Sequence, residues 1–204
     1  MIVAHSITLD TMMNNDLTLL LSAAFIAYLV GSLPTAMIIS KFQHYSDPRQ
    51  SGSGNAGATN MMRLHGWKSA LITLIGDVLK GFLVVKLYQQ VGNNSLTHLG
   101  VVASAVIIGH IYPLFFRFKG GKGVATILGT MIAISPILSA ITLGLWLTAL
   151  LITRISAYAA LICALVSPIV VYFIDNHVLA FWCTCSAILL FSHRENIQQL
   201  LSPK

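Results

Sequence analysis

VATILGTMIAISPILSAITLGLWLTALLI, residues 124–152, contains no charged side chain and one clear break, Ser135-Pro136. An α-helix crosses a membrane with about 20 predominantly apolar residues. This stretch is therefore long for one upright crossing and short for two. Proline removes a backbone donor from a helix interior but fits the first turn of a new helix. Whether the chain turns at Pro136 decides on which side of the membrane every later segment lies.

The basic residues settle the parity, because short loops carrying Lys and Arg stay on the cytoplasmic side. Apolar runs also occur at 17–39, 69–88, 96–116, 155–174 and 178–191. Lys41, Arg49, Arg63 and Lys68 mark the first loop, Arg117, Lys119 and Lys122 the third, and Arg194 and Lys204 the tail, while 89–97 and 175–177 have neither Lys nor Arg. A single crossing by 124–152 would strand Arg154 and the basic tail outside. Two crossings bring both back. The expected fold is an all-α integral membrane protein of about seven transmembrane helices, several of them short, with a periplasmic N-terminus and a cytoplasmic C-terminus. Residues 1–16 form a polar lead without the positive n-region of a cleaved signal, and 17–204 form one polytopic domain. Every Lys and Arg is then cytoplasmic except Lys80 and Lys86.

Composition agrees. The chain has 204 residues, 56% hydrophobic and only 9% charged, with a mean hydropathy of +0.80, where a soluble domain carries about 25% charged residues. Twelve Lys and Arg against six acidic residues leave a net charge of +6. They are too sparse and interrupted for a nucleic-acid groove, which points the excess at anionic lipid or a small anionic substrate. Cys163, Cys183 and Cys185 are odd in number and form no C-x-x-C pair, so they read as reduced packing residues. No cluster with metal-ligand spacing occurs.

Three cytoplasmic segments carry chemistry. The first, Ser51-Gly52-Ser53-Gly54-Asn55-Ala56-Gly57-Ala58-Thr59-Asn60-Met61-Met62-Arg63, is rich in glycines that let consecutive N–H groups converge on an anion. Ser53, Thr59 and Asn60 add neutral donors, and Arg63 a fork suited to phosphate or carboxylate. The second, Phe118 to Thr126, places Gly120, Gly121, Lys122 and Gly123 at a helix start, where N–H groups and a lysine can cradle phosphate. It is not a Walker A loop, because no Gly stands five residues before the Gly-Lys pair and no Ser or Thr follows Lys122. The third, Ser192 to Ile197, sets His193 beside Arg194 and Asn196, with Glu195 as partner to a nearby cation. Asp77 and Lys80 stand one turn apart at membrane depth and read as a paired lock. His110 reads as a satisfied interior histidine.

Together, Gly31-Ser32-Leu33-Pro34, the Ser51–Asn60 run with Arg63, the Asp77–Gly81 element, Lys119–Thr126 and His193–Ile197 resemble, in order, the motifs of bacterial acyl-phosphate:glycerol-3-phosphate acyltransferases of the PlsY type. The resemblance covers nearly all of the chain after its polar lead, which departs from a shorter family N-terminus. It implies transfer of a fatty acyl group from acyl phosphate to glycerol 3-phosphate, giving lysophosphatidic acid and phosphate in an early step of bacterial phospholipid synthesis. It also implies an active site on the cytoplasmic side of the inner membrane and no cofactor or metal. The partners it implies are the two substrates, membrane lipid and the soluble enzyme that makes acyl phosphate, with no nucleic acid. Residue by residue, it assigns catalysis to Ser53, Arg63 and His193. Substrate binding goes to Asn55, Thr59, Asn60, Gly120, Gly121, Lys122, Gly123 and Asn196, and a structural role to Asp77, Lys80 and Glu195. Acyl phosphate is already activated, so the hydroxyl proton can pass either to His193 or to a donor phosphate oxygen. A phosphate transporter would need a polar path to the outer face, where the chain is apolar. A phosphatidyltransferase would need a carboxylate cluster, where the loops offer only Asp47 before the tail.

Overall fold

A computed structural model describes residues 2–202, with side chains from Asn14 onward, so Lys204 lies outside the described residues. These residues are helical, with no strand among them. The reading of 17–39 as one crossing is corrected: α1 (Ile2–Gly31) stops at Gly31, and α2 (Thr35–Phe42) starts after Pro34. Pro34 has no amide hydrogen to continue the ladder and disfavours helical backbone at Leu33.

Breaking a helix among apolar neighbours frees polar groups that must be satisfied internally. The Lys80 ammonium donates to the carbonyls of Gly31 and Leu33, both at 3.3 Å. Asp77 Oδ1 accepts from the amide of Thr35 at 3.2 Å and its hydroxyl at 3.0 Å, which caps α2. Ser32 Oγ accepts from the Leu114 amide at 3.1 Å. Asp77 and Lys80 pair at 2.8 Å, both buried. The charges at membrane depth thus serve the break, and each is matched by the other.

α3 (Ala58–Val91) begins well before the expected run of 69–88, so Thr59, Asn60 and Arg63 lie on its first two turns instead of in a loop. Gly66, at φ 79° and ψ −177°, kinks it. An added Cβ at Gly66 would meet nothing within 4 Å, so the backbone conformation alone demands glycine there. α4 (Leu96–Ile111) is capped by Ser95, whose hydroxyl accepts from the His98 amide. A 3-10 turn, Leu114–Phe116, leads into the glycine-rich segment. α5 (Val124–Ile134) and α6 (Pro136–Thr153) are separate helices that meet at Ser135-Pro136. α7 (Ser156–Ile174), a 3-10 turn at Asn176–Val178, α8 (Leu179–Ser192) and the short α9 (Arg194–Leu201) complete the chain.

Four helical stretches are long and apolar enough to cross a membrane: Asn14–Gly31, Leu96–Phe116, Pro136–Thr153 and Ser156–Ile174. Val124–Ile134 and Asn176–Ser192 are apolar but shorter. α3, at 34 residues, is long enough but carries Asp77, Lys80 and Lys86. The core gathers Val102, Val106, Ile107 and Trp182, all fully buried, and Trp182 Nε1 donates to Thr142 Oγ1 at 3.2 Å. Outward-facing side chains are equally apolar: Ile137, Leu151 and Phe173 are each at least 75% exposed, a surface suited to lipid and not to water. Cys163 and Cys185 are buried and Cys183 exposed, all of them free thiols.

Candidate active site

A cavity of about 950 Å³ joins the three polar segments around Ser53, Lys122 and His193. Ser53, Asn55, Thr59, Arg63, Lys122, Gly123, His193 and Asn196 line its polar end. It continues between apolar walls formed by Leu71, Leu74 and Val78 of α3, Leu128 and Met131 of α5, and Leu143 and Leu147 of α6. Leu71, Leu74 and Leu147 are 42–47% exposed, so these walls reach the lipid-facing surface.

Local geometry explains why the segments converge. Arg49 forms a two-pronged pair with Asp47, with contacts of 2.6–3.1 Å, and its other nitrogen donates to the carbonyls of Phe116 and Lys119, both at 2.9 Å. The guanidinium holds the Asp47 carboxyl below the usual carboxylate range. One side chain therefore ties the first segment to the second. This bridge is absent from the sequence reading, where Asp47 figured only as an isolated carboxylate. The Asp-x-Arg spacing is the one signal that could have marked it.

Asn60, expected to bind substrate, is placed elsewhere. It is fully enclosed, its amide donating to the carbonyls of Pro48 (2.7 Å) and Ser51 (3.1 Å) while its oxygen accepts from the Ser53 amide at 2.9 Å. Its hydrogen-bonding groups are engaged by the loop that carries Ser53, and it does not line the cavity. Thr59 does, and its hydroxyl meets that of Ser156 at 3.3 Å. Ser156, at the start of α7, is a cavity residue that the sequence reading missed.

Gly120 and Gly121 are also corrected. Their amides donate to the carbonyls of Ile111 and His110 at 3.0 and 3.1 Å, so neither is free to cradle an anion. A Cβ at Gly120 would run into the His110 carbonyl, and one at Gly121 into the His110 ring. Glycine is needed here for close approach to the end of α4. That approach delivers Lys122 and Gly123 to the cavity at the N-terminus of α5, where helical N–H groups lack intrahelical partners.

Lys122 donates to Asn196 Oδ1, and its carbonyl accepts from Ser192 Oγ at 2.9 Å, which fastens the second segment to the third. Burial pulls the lysine's pKa down, and Glu195 opposes this at longer range. His193 is 2% exposed. Its Nδ1 lies 2.9 Å from the Leu189 carbonyl, which can only accept, so Nδ1 carries the proton and Nε2 is left as an acceptor. Burial pushes its pKa down to about 4, with the Lys122 charge acting in the same sense and the Leu189 bond against it. Glu195 is exposed and lies outside the cavity. Among the described residues no group of three or more His, Cys, Asp or Glu side chains could hold a metal ion.

The comparisons agree with one another. The family profile described as glycerol-3-phosphate acyltransferase matches residues 21–203. The glycerol-3-phosphate acyltransferase of Shewanella woodyi is 42% identical over 175 residues, 86% of this chain and 86% of that one. That of Paraburkholderia phytofirmans is 45% identical over 186 residues, 89% and 87% of the two chains. The crystal structure of PlsY, an integral membrane glycerol 3-phosphate acyltransferase, in its glycerol 3-phosphate form matches with a TM-score of 0.81 at 34% identity, covering 89% of this chain and 92% of that one. Its lysophosphatidic acid form matches with a TM-score of 0.80 at the same identity, covering 89% and 91%. An all-helical fold with apolar helices facing outward, and a profile match over almost its whole length, lead to one conclusion: the chain belongs to the glycerol-3-phosphate acyltransferase family, as a multi-pass membrane protein of the PlsY type.

Proposed function

We propose that this protein transfers a fatty acyl group from acyl phosphate to glycerol 3-phosphate, releasing 1-acyl-glycerol 3-phosphate and phosphate, at the cytoplasmic face of the bacterial inner membrane. The observation that carries the reading is the cavity itself, polar and cationic at one end and apolar along the rest. Such a shape suits a molecule with a phosphate head and a hydrocarbon tail. The solved relative's glycerol 3-phosphate and lysophosphatidic acid forms support the acceptor and the product. The acyl phosphate donor rests on the motif resemblance and on a site that offers charge and alignment with no built nucleophile pair. Ser53 has no histidine within hydrogen-bonding distance among the described residues; its amide is held by Asn60.

In this mechanism Arg63 and Lys122 neutralise the two phosphates while Ser53, Asn55, Thr59 and Asn196 orient them. The acceptor hydroxyl oxygen attacks the acyl carbon, the bond from that carbon to the bridging phosphate oxygen breaks, and phosphate leaves with the electron pair. The hydroxyl proton ends on a phosphate oxygen. His193, neutral and with Nε2 free, accepts a hydrogen bond from the hydroxyl and aims it, but its low pKa makes it a poor final proton holder. Alignment of two bound reactants contributes up to about 7–11 kcal/mol, against a factor of about 10²–10⁴ from a general base. Positioning and charge therefore dominate.

The test supplies purified protein with glycerol 3-phosphate and, separately, acyl phosphate, acyl-CoA and acyl carrier protein. Product from acyl phosphate alone is expected; product from acyl-CoA alone refutes the donor assignment. In the same assay Lys122→Ala and Arg63→Ala are expected to lose about a hundredfold or more in turnover, as for removal of one transition-state donor. Near-wild-type rates in an inserted variant would remove that residue from the phosphate site.

A further inference from the structure

The buried group formed by Asp77, Lys80 and His110 has a side that the helix break does not use. His110 is 3% exposed, and its Nδ1 lies 2.8 Å from the Lys80 ammonium and 3.5 Å from Asp77 Oδ1. The ammonium is the nearer of the two neighbours and only donates; Nδ1 accepts from it in the tautomer that carries the ring proton on Nε2. That second nitrogen has no hydrogen-bond partner among the described residues, faces the backbone of Gly121, and belongs to a side chain that lines the cavity. The atom is not sealed from the cavity, so a ligand lying there can accept from it.

The neighbours indicate which atom of that ligand. On one side Gly121 precedes Lys122, at the cationic end of the cavity; on the other, Asp77 precedes Val78, in the apolar wall. A molecule with its phosphate at Lys122 and its chain along Val78 puts the acyl carbonyl between them. We propose that His110 Nε2–H donates a hydrogen bond to the acyl oxygen of the donor, and so stabilises the oxyanion that forms there as the acceptor hydroxyl attacks. No proton leaves the ring; the hydroxyl proton still goes to the departing phosphate. Lys80, by occupying Nδ1, fixes the tautomer, and Asp77 balances the lysine's charge. Gly121, by lacking a Cβ, leaves the Nε2 side uncovered. The proposal rests on the acyl phosphate reading above.

Two experiments test it. The first compares His110→Asn and His110→Gln, because an asparagine amide can still receive Lys80 but does not reach the Nε2 position, whereas a glutamine amide approximates it. With whichever donor the wild type turns over, His110→Asn is expected to lose about 10²–10³-fold in kcat, the cost of one oxyanion donor, with the KM for glycerol 3-phosphate little changed, while His110→Gln keeps most of the rate. Equal losses in two folded variants, unchanged rates, or a loss confined to KM overturns the proposal. The second needs no turnover: ¹⁵N-histidine spectra of the wild-type protein, with His110 assigned by its absence in whichever substituted chain keeps the other histidine signals in place. An Nε2-protonated neutral ring is expected, whose signal moves when an inert acyl phosphonate is added and stays put with glycerol 3-phosphate. A charged or Nδ1-protonated ring, or a bound phosphonate that leaves the signal unmoved, overturns the His110 proposal alone. A phosphonate that does not bind overturns the donor reading, and this proposal with it.

Discussion

His193 sits where burial and the neighbouring Lys122 ammonium both act against its protonation. Its folded-state pKa, about 4, is below the value of about 6.5 expected in an unfolded chain. Between those values the unfolded state binds a proton that the folded state refuses, so stability is whole above pH 6.5 and falls as the pH drops toward 4. His193→Gln stays neutral throughout and is expected to flatten that part of the dependence. Thermal unfolding of both proteins in detergent at pH 7 and pH 5 checks it; an equal drop in both would remove His193 from the account. At this scale the sequence pointed to Ser53, Arg63, Lys122, His193 and Asn196, and all five line one cavity. It misplaced Asn60, Gly120 and Gly121. An amide in a glycine-rich stretch can serve a ligand or its own backbone, and residue spacing does not say which.

The break at Gly31–Pro34 shows how a membrane helix can end without water. Lys80 takes the loose carbonyls, Asp77 caps the next helix, and their mutual charge keeps either from standing alone. Removing one partner of a buried pair leaves the other uncompensated, at about 3–5 kcal/mol, whereas replacing both can be close to neutral. Lys80→Met is therefore expected to lower the unfolding temperature markedly, and the double variant Asp77→Asn with Lys80→Met to recover part of that loss. No recovery would mean that the two residues act independently. The sequence reading merged α1 with α2 because mean hydropathy runs through a Gly-Ser-Leu-Pro sequence without a dip, and proline is tolerated inside membrane helices. It cut α3 short for the opposite reason. Polar residues at 58–68 look like a loop, yet Asn60 and Met61 are buried on the helix face. The Ser135-Pro136 turn was legible because proline there agrees with both the length of the run and the charge parity.

For the molecule as a whole, we propose seven crossings, by α1, the membrane half of α3, and α4 to α8, with the cavity mouth cytoplasmic. α5 has only 11 residues, about 16 Å at 1.5 Å per residue, so it cannot span a hydrocarbon core of about 30 Å alone. The neighbouring α3 and α6 must cover its ends. In a chain whose three cysteines are replaced, Asn93→Cys is expected to react with an impermeant thiol reagent applied to intact spheroplasts, and Arg154→Cys only after the membrane is opened. The reverse pattern would invert the orientation, and labelling of both from outside would break the parity on which seven helices rest. The half-exposed leucines along the apolar walls carry a further consequence. The long-chain reactant is drawn from a two-dimensional solvent and the short one from a three-dimensional one. The velocity then follows the mole fraction of acyl donor among the surrounding amphiphiles, so that added detergent or lipid dilutes one substrate while leaving the other untouched.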